Sequence, residues 1–388
     1  MATDTSTSGP GGTGRFDAIA VARELGPTLA QRAAAHDADD SFVADSYADF
    51  KARKLFSAGV PAPLGGGGAT HPELCAMLQE FGRCCGSSAL ALSMHTHLLA
   101  TTVWQWKHGM PAAKTAAESL LRRVSAEELI LVSSGGSDWL EGSGKAEKVD
   151  GGFRVNARKI FVSGSPSGQL LVTTAVYDDP VAGATVLHLP VPLDGPGVHI
   201  HDNWRTMGMR ATGSNDITIE GVFVPDHAVG VRRPKGKWHE FFDVHSAVVW
   251  PLVMSVYVGV AEAARPLALS QAAKRRDYPI VQGLVGEMDT QLAGAQVALR
   301  EMVALGSDYD YQPSLERSNK VFVYKTIVAR SALCAVERAM EVCGGASFFR
   351  SAGIERIFRD IQGVRFHPWQ ERKQYVFSGR VALGLAPV

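Results

Sequence analysis

Between Leu129 and Val229 the hydrophobic pattern of this chain changes period, and that constrains the fold more than any other feature. Before and after this region, apolar residues recur at helical spacing. Within it, short β-branched runs are separated by turn residues. Leu129 to Ser134, Lys145 to Val149, Phe153 to Asn156, Leu170 to Val176, Ala184 to Leu189, Val198 to Ile200 and Ile217 to Val224 read as strands. Asp150-Gly151-Gly152 supplies a hairpin turn. The expectation is an antiparallel β-domain of roughly seven strands over 129–230.

The flanks are helical. Residues 15–128 carry helices over Phe16 to His36, Asp45 to Ala58, His71 to Arg83, Ser87 to Trp106 and Ala112 to Ala126, with a kink expected at Gly26-Pro27. Residues 231–388 carry long helical segments over Phe241 to Arg276, Val281 to Leu305 and Glu316 to Val342, and a last helix from Trp369 to Leu385. Pro251 and Pro266 should kink or break the first of these. The fold class expected is α+β and multidomain: an N-terminal helical domain, a middle antiparallel β-domain and a C-terminal four-helix bundle. Residues 1–14 read as a disordered tail.

Charge and cysteine content narrow the partners. The 39 basic and 39 acidic residues cancel, which argues against nucleic acid or an anionic membrane held by bulk charge. The N-terminus has no secretory pattern, and the apolar runs read as too interrupted for a membrane span. Five cysteines, without CxxC or zinc spacing, suggest reduced thiols in a cytoplasmic protein and no metal. Familiar catalytic motifs fail. Gly65 to Gly68 lacks the strand–helix context of a dinucleotide loop, and Pro166 stands where a hydrolase elbow needs its nucleophile. His95 and His97 lie two apart on a helix and diverge.

The chemistry-bearing stretch is Ile354 to Leu385. Arg359-Asp360 closes one helix, and a short loop carries Phe366-His367-Pro368 before the last helix. This loop is expected to close a pocket built by the rest of the chain. Trp204 to Pro225 (WRTMGMRATGSNDITIEGVFVP), Asn156 to Gly164 (NARKIFVSG), Ser87 to Leu99 (SSALALSMHTHLL) and Met340 to Phe349 (MEVCGGASFF) stand out in the same way.

In this order, these pieces resemble the acyl-CoA dehydrogenase superfamily from about residue 20 to residue 386. The resemblance implies a flavin, FAD or alternatively FMN. It implies that Phe161 and Ser163 contact the isoalloxazine ring, and that Leu131 and Ser133 lie on a neighbouring strand that also touches it. Arg275 falls near the family's arginine for a neighbouring subunit's flavin diphosphate, which Gly344 and Gly345 would let backbone approach. A homodimer or homotetramer follows. A small-molecule substrate such as an acyl-CoA thioester is implied, together with a flavin reductase or an electron-transfer partner.

One departure matters. Dehydrogenation of a thioester needs a carboxylate within reach of the α-proton. The two positions where the family places that glutamate are held by Pro368 and Val249, and Glu371 lies one helical turn beyond the first. Flavin monooxygenases of the superfamily, dibenzothiophene monooxygenase and the sugar and amine N-oxygenases among them, are similar in lacking it. His367, Ser163 and His95 would then assist oxygen chemistry by hydrogen bonding. Three readings stand at this point: an acyl-CoA dehydrogenase-like oxidoreductase, a reduced-flavin monooxygenase, and a non-catalytic flavin- or acyl-binding protein.

Overall fold

A computed structural model describes residues 16–134 and 138–388. The expected tail over 1–14 and the loop residues 135–137 lie outside that range. The N-terminal helices are α1 (Ala18–Asp39), α2 (Ala44–Ala52), α3 (His71–Cys84), α4 (Gly86–His108) and α5 (Pro111–Glu127). Local chemistry sets their starts. The Asp17 carboxylate accepts from the Ile19 and Ala20 amides, and Thr70 and Glu73 form a reciprocal capping box on α3. α1 continues as one helix through Pro27, where a kink was expected. Gly26 lies so close to α3 that a Cβ there would fall 2.7 Å from the Cys84 sulfur.

Among the described residues the middle domain is an eight-stranded sheet. Its strands are β1 (Leu131–Ser133), β2 (Lys145–Val149), β3 (Gly152–Val162), β4 (Leu170–Asp179), β5 (Gly183–Pro192), β6 (Val198–Ile200), β7 (Asn215–Pro225) and β8 (Val231–Pro234). The order is β6-β7-β3-β2-β4-β5-β8, with β1 also on β4. The Asp150-Gly151 hairpin forms as expected, with Gly151 at φ +72°. The sheet is not wholly antiparallel, because β1 and one bridge of β2 run parallel to β4. β8 carries it past the expected end at Val229.

The C-terminal domain packs α6 (Glu240–Ala272), α7 (Pro279–Gly306), α8 (Leu315–Cys343) and α10 (Glu371–Ala382) as a four-helix bundle, with the short α9 (Ile354–Ile361) against α6 and α8. Pro251 and Pro266 do not break α6. Ser255 donates to the Pro251 carbonyl. The helix is the apolar centre of the molecule and packs on α3, α4, α7 and α8. With its short extension it is long and apolar enough to cross a membrane, contrary to the interrupted pattern expected, but 89% of that apolar window is buried inside the fold. The core is therefore continuous between the helical domains, while the sheet keeps a second core of its own.

Candidate active site

A cavity of about 860 Å³ opens between the sheet, α4, α6 and the α9–α10 connection. Its helical wall follows from periodicity. Leu90, Met94, His97 and Leu98 of α4 recur at helical spacing, as do His245, Val249, Val253 and Tyr257 of α6. The expected closing loop does border this space, through Phe366, His367 and Pro368.

The sheet side presents the end of β3. Phe161 lies at a β-bulge with φ +58°, an uncommon conformation for a bulky residue, and the residue is 52% exposed at the cavity wall. Trp204 meets it edge-on at 5.6 Å. Ser163 Oγ is 2.8 Å from Ser214 Oγ, which is 2.7 Å from Thr212 Oγ1. Thr212 spends its single proton on the Met209 carbonyl at 2.9 Å, so Ser214 donates to Thr212 and Ser163 donates to Ser214. Ser163 therefore meets the cavity as an acceptor. The Trp204–Pro225 stretch docks on α9: Met209 N–H donates to the Asp360 carboxylate at 2.6 Å, and a Cβ on Gly208 would fall 2.1 Å from the Arg359 carbonyl oxygen. Arg359, at the cavity edge, is held by Asp37 and Glu355.

On the bundle side Tyr257 Oη and His367 Nε2 are 2.7 Å apart. Burial, aided by the Lys325 cation, pushes the His367 pKa down to about 3, and burial pushes Tyr257 well up, so both are neutral. Among the described residues, His367 Nδ1 has no partner. Lys325, buried on α8, donates to the His367 and Trp369 carbonyls at 3.2 and 2.9 Å and lies 5.0 Å from the centre of the Trp250 ring. Burial lowers its pKa to about 7. His97 Nε2 and Ser133 Oγ are 3.2 Å apart. His245, whose pKa burial lowers to about 4, stacks on Phe241.

The positions expected to hold a base, Val249 and Pro368, both line the cavity. Glu371 does not; its carboxylate accepts from Tyr375 on the exposed face of α10. Among the described residues the lining holds one carboxylate, Asp138, and Lys159 Nζ occupies it at 2.9 Å.

Ser133, Phe161, Ser163 and His367 thus come together, while other expected residues do not. His95 is a core residue and no part of the lining: its Nδ1 accepts from Leu131 N–H, and its Nε2 donates to the Phe56 carbonyl at 2.7 Å. Leu131 turns its side chain into the core and spends its amide on His95, so it too is absent from the wall. The α4 histidine at the cavity is His97. Arg275, Gly344 and Gly345 gather elsewhere, at the end of α8, where Arg275 donates to the Val342 carbonyl. Tyr257, His245, His188, Trp139 and Lys325 were not singled out from the sequence. The available signal was a Tyr and a His at i, i+12 on one stripe of an apolar helix, and a lysine on the buried face of another.

Comparison with known proteins places this geometry. Models of the acyl-CoA dehydrogenase N-terminal, middle and C-terminal domains match residues 17–116, 133–222 and 249–367. The chain is similar to amino sugar nitrososynthase RubN8 of Streptomyces rubradiris, with 30% identity over 92% of this chain and 88% of that one. It is 27% identical to dibenzothiophene monooxygenase of Mycolicibacterium goodii over 90% of each. The solved structure of KijD3 with FMN and a dTDP-linked 3-amino-4-keto sugar superposes with a TM-score of 0.84 and 28% identity, covering 95% of this chain and 94% of that one. The chain is a flavin enzyme of the acyl-CoA dehydrogenase family.

Proposed function

We propose that this protein is a reduced-flavin-dependent monooxygenase. One observation carries the reading. Where a dehydrogenase would need its proton-abstracting carboxylate, the wall holds Val249 and Pro368, and the polar groups beside them are the neutral pair His367 and Tyr257. A neutral imidazole with Nδ1 open can give or accept a hydrogen bond, but it is a weak base for an α-carbon proton. The nitrososynthase and monooxygenase relatives support the same choice.

The cavity suits a flavin on this chain's own features. Ile160, Phe161 and Met207 leave 36%, 52% and 53% of their surface uncovered at its wall, which a flat ring system would bury. Ser163 offers an acceptor, which fits a ring N–H of the reduced form. Ser133 stands on β1 with its hydroxyl near His97. A reduced flavin, when bound, supplies the two electrons by which dioxygen gives one atom to the substrate and one to water. His367, backed by Tyr257, holds or moves a proton at Nδ1, and Trp139, Phe242 and Trp250 exclude water. FMN is the expected flavin, because the KijD3 complex holds FMN. A separate flavin reductase would supply it. We infer a homo-oligomer from the Arg275–Gly344 cluster, which is remote from this chain's own cavity, and from the neighbouring Phe348 and Tyr278, exposed to 90% and 64%.

The test is spectroscopic. Protein with chemically reduced FMN is mixed with oxygen, and return of the visible flavin band is followed. Re-oxidation slower than that of free FMN, with less peroxide released, is the expected result. Anaerobic bleaching of the protein's oxidised flavin by an acyl-CoA would overturn the proposal in favour of dehydrogenation.

A further inference from the structure

His188, on β5, borders the cavity beside the first turn of α6. Behind it lies Arg233 of β8, 1% exposed, whose Nε is 3.0 Å from His188 Nε2. A guanidinium has donors only, so Arg233 donates and His188 Nε2 accepts. That fixes the imidazole as neutral, with its proton on Nδ1. Burial and the Arg233 charge lower the His188 pKa well below the ordinary value, in agreement. Among the described residues, Nδ1–H has no protein acceptor. His188 therefore offers the cavity one donor of fixed position.

The charge behind this corner is positive. Arg233 is satisfied by His188 and by the carbonyls of Asp138, Trp139 and Leu140, and among the described residues no carboxylate pairs with it. The buried carboxylate nearby, Asp138, is held by buried Lys159 and by Ser134 and Ser143. Two buried cations thus face one buried carboxylate, and Glu141 is exposed. The adjacent surfaces are flat and aromatic. Trp139 stacks on Phe242 at 5.1 Å and 16° and on Trp250 at 5.7 Å and 28°, and Phe241 meets His188 at 4.5 Å.

We propose that this corner is a substrate subsite for an aromatic molecule that presents an acceptor oxygen to His188 Nδ1–H, and that it disfavours an ammonium group at that end. The ring packs among Trp139, Phe241 and Phe242. The oxygen, phenolic or carboxylate, takes the unpaired donor and the positive field behind it. Arg233 is a positioning residue: it sets the His188 tautomer and ties down the carbonyls that carry Trp139. The proposal rests on the cavity being the substrate chamber of the oxygenase described above, but it concerns binding and not turnover.

Calorimetric titration of the full-length protein in the presence of FMN tests it with four probes: 2-naphthol, 2-naphthoate, naphthalene and 2-naphthylmethylammonium. The expected result is that 2-naphthol or 2-naphthoate binds roughly tenfold more tightly than naphthalene, with the ammonium weakest. The better of the two oxygen probes tells whether a neutral or an anionic oxygen is preferred. His188→Phe should remove the advantage of the oxygen probes over naphthalene, while His188→Asn, which keeps an acceptor for Arg233 and an N–H, should restore part of it. Should His188→Phe fail to fold, the wild-type ranking and the Asn variant still decide. An ammonium probe that binds as well as 2-naphthol, no oxygen advantage, or no binding by any probe overturns the proposal. Slow flavin re-oxidation alongside any of these would leave the oxygenase reading standing.

Discussion

Tyr257 of α6 and His367 of the α9–α10 connection, 110 residues apart in sequence, share a 2.7 Å hydrogen bond at the cavity wall. Both groups are neutral, so two tautomers satisfy the contact and either leaves Nδ1 for a ligand. Tyr257→Phe and His367→Ala should each lower oxygenation by roughly 10- to 100-fold. In the double variant the losses should fall short of additive, with a coupling of about 0.5–3 kcal/mol from the product-formation rates. Fully additive losses would mean that the two side chains act separately.

Lys325 is the anchor of that loop, through the His367 and Trp369 carbonyls. Lys325→Met keeps the length and apolar stem of the side chain and removes the donors. Product formation should fall by about tenfold or more as His367 loses its fixed position. The urea midpoint should move little, because an apolar side chain replaces a buried amine that burial already holds near pKa 7 and that has no carboxylate partner among the described residues. A large loss of stability with unchanged turnover would assign Lys325 to the core alone.

Glu371 offers the opposite expectation. Its carboxylate is bonded to Tyr375 on the outer face of α10 and is absent from the cavity wall. Glu371→Gln should leave turnover within about twofold and stability within about 0.5 kcal/mol. Loss of activity would bring it back as a base and revive the dehydrogenase reading.

Stability should depend on pH through the buried histidines. Burial holds His367 at about 3 and His95 and His245 at about 4, and lowers His71, His97 and His188 as well. Unfolded, each titrates near 6.5. As pH falls below that value the unfolded chain takes up protons that the native chain refuses, so their stabilisation is full above about 6.5 and is lost on acidification. Asp360, raised by burial to about 6, and Asp243 and Glu128, also raised, work the other way over the carboxylate range. The histidines outnumber them. The urea midpoint should therefore drop between about pH 7 and pH 5. A flat or rising midpoint would contradict neutral burial.

The order of helical domain, sheet and bundle was legible in the sequence because it rests on local periodicity. The Asp150-Gly151 turn was legible for the same reason. Proline was over-read: α1 passes Pro27, and α6 passes Pro251 and Pro266, because the packing of each helix along its buried face outweighs one missing amide. The parallel pairing of β1 with β4 was not legible, since periodicity gives a strand but not its neighbour.

The candidate site divides along the same line. The sequence by itself determined which loop borders the cavity and that no carboxylate stands at 249 or 368, because these follow from residue identity and order along the chain; that Phe161, Ser133 and Ser163 reach the wall was implied by the resemblance of their motifs to the family. Only the tertiary structure decided that His97 and not His95 faces the cavity, that Tyr257 meets His367, and that Lys325 and Arg233 lie buried behind the wall. Each of these depends on how α4, α6, α8 and the sheet are rotated against one another, and a one-dimensional pattern gives each element a buried face without saying what that face meets.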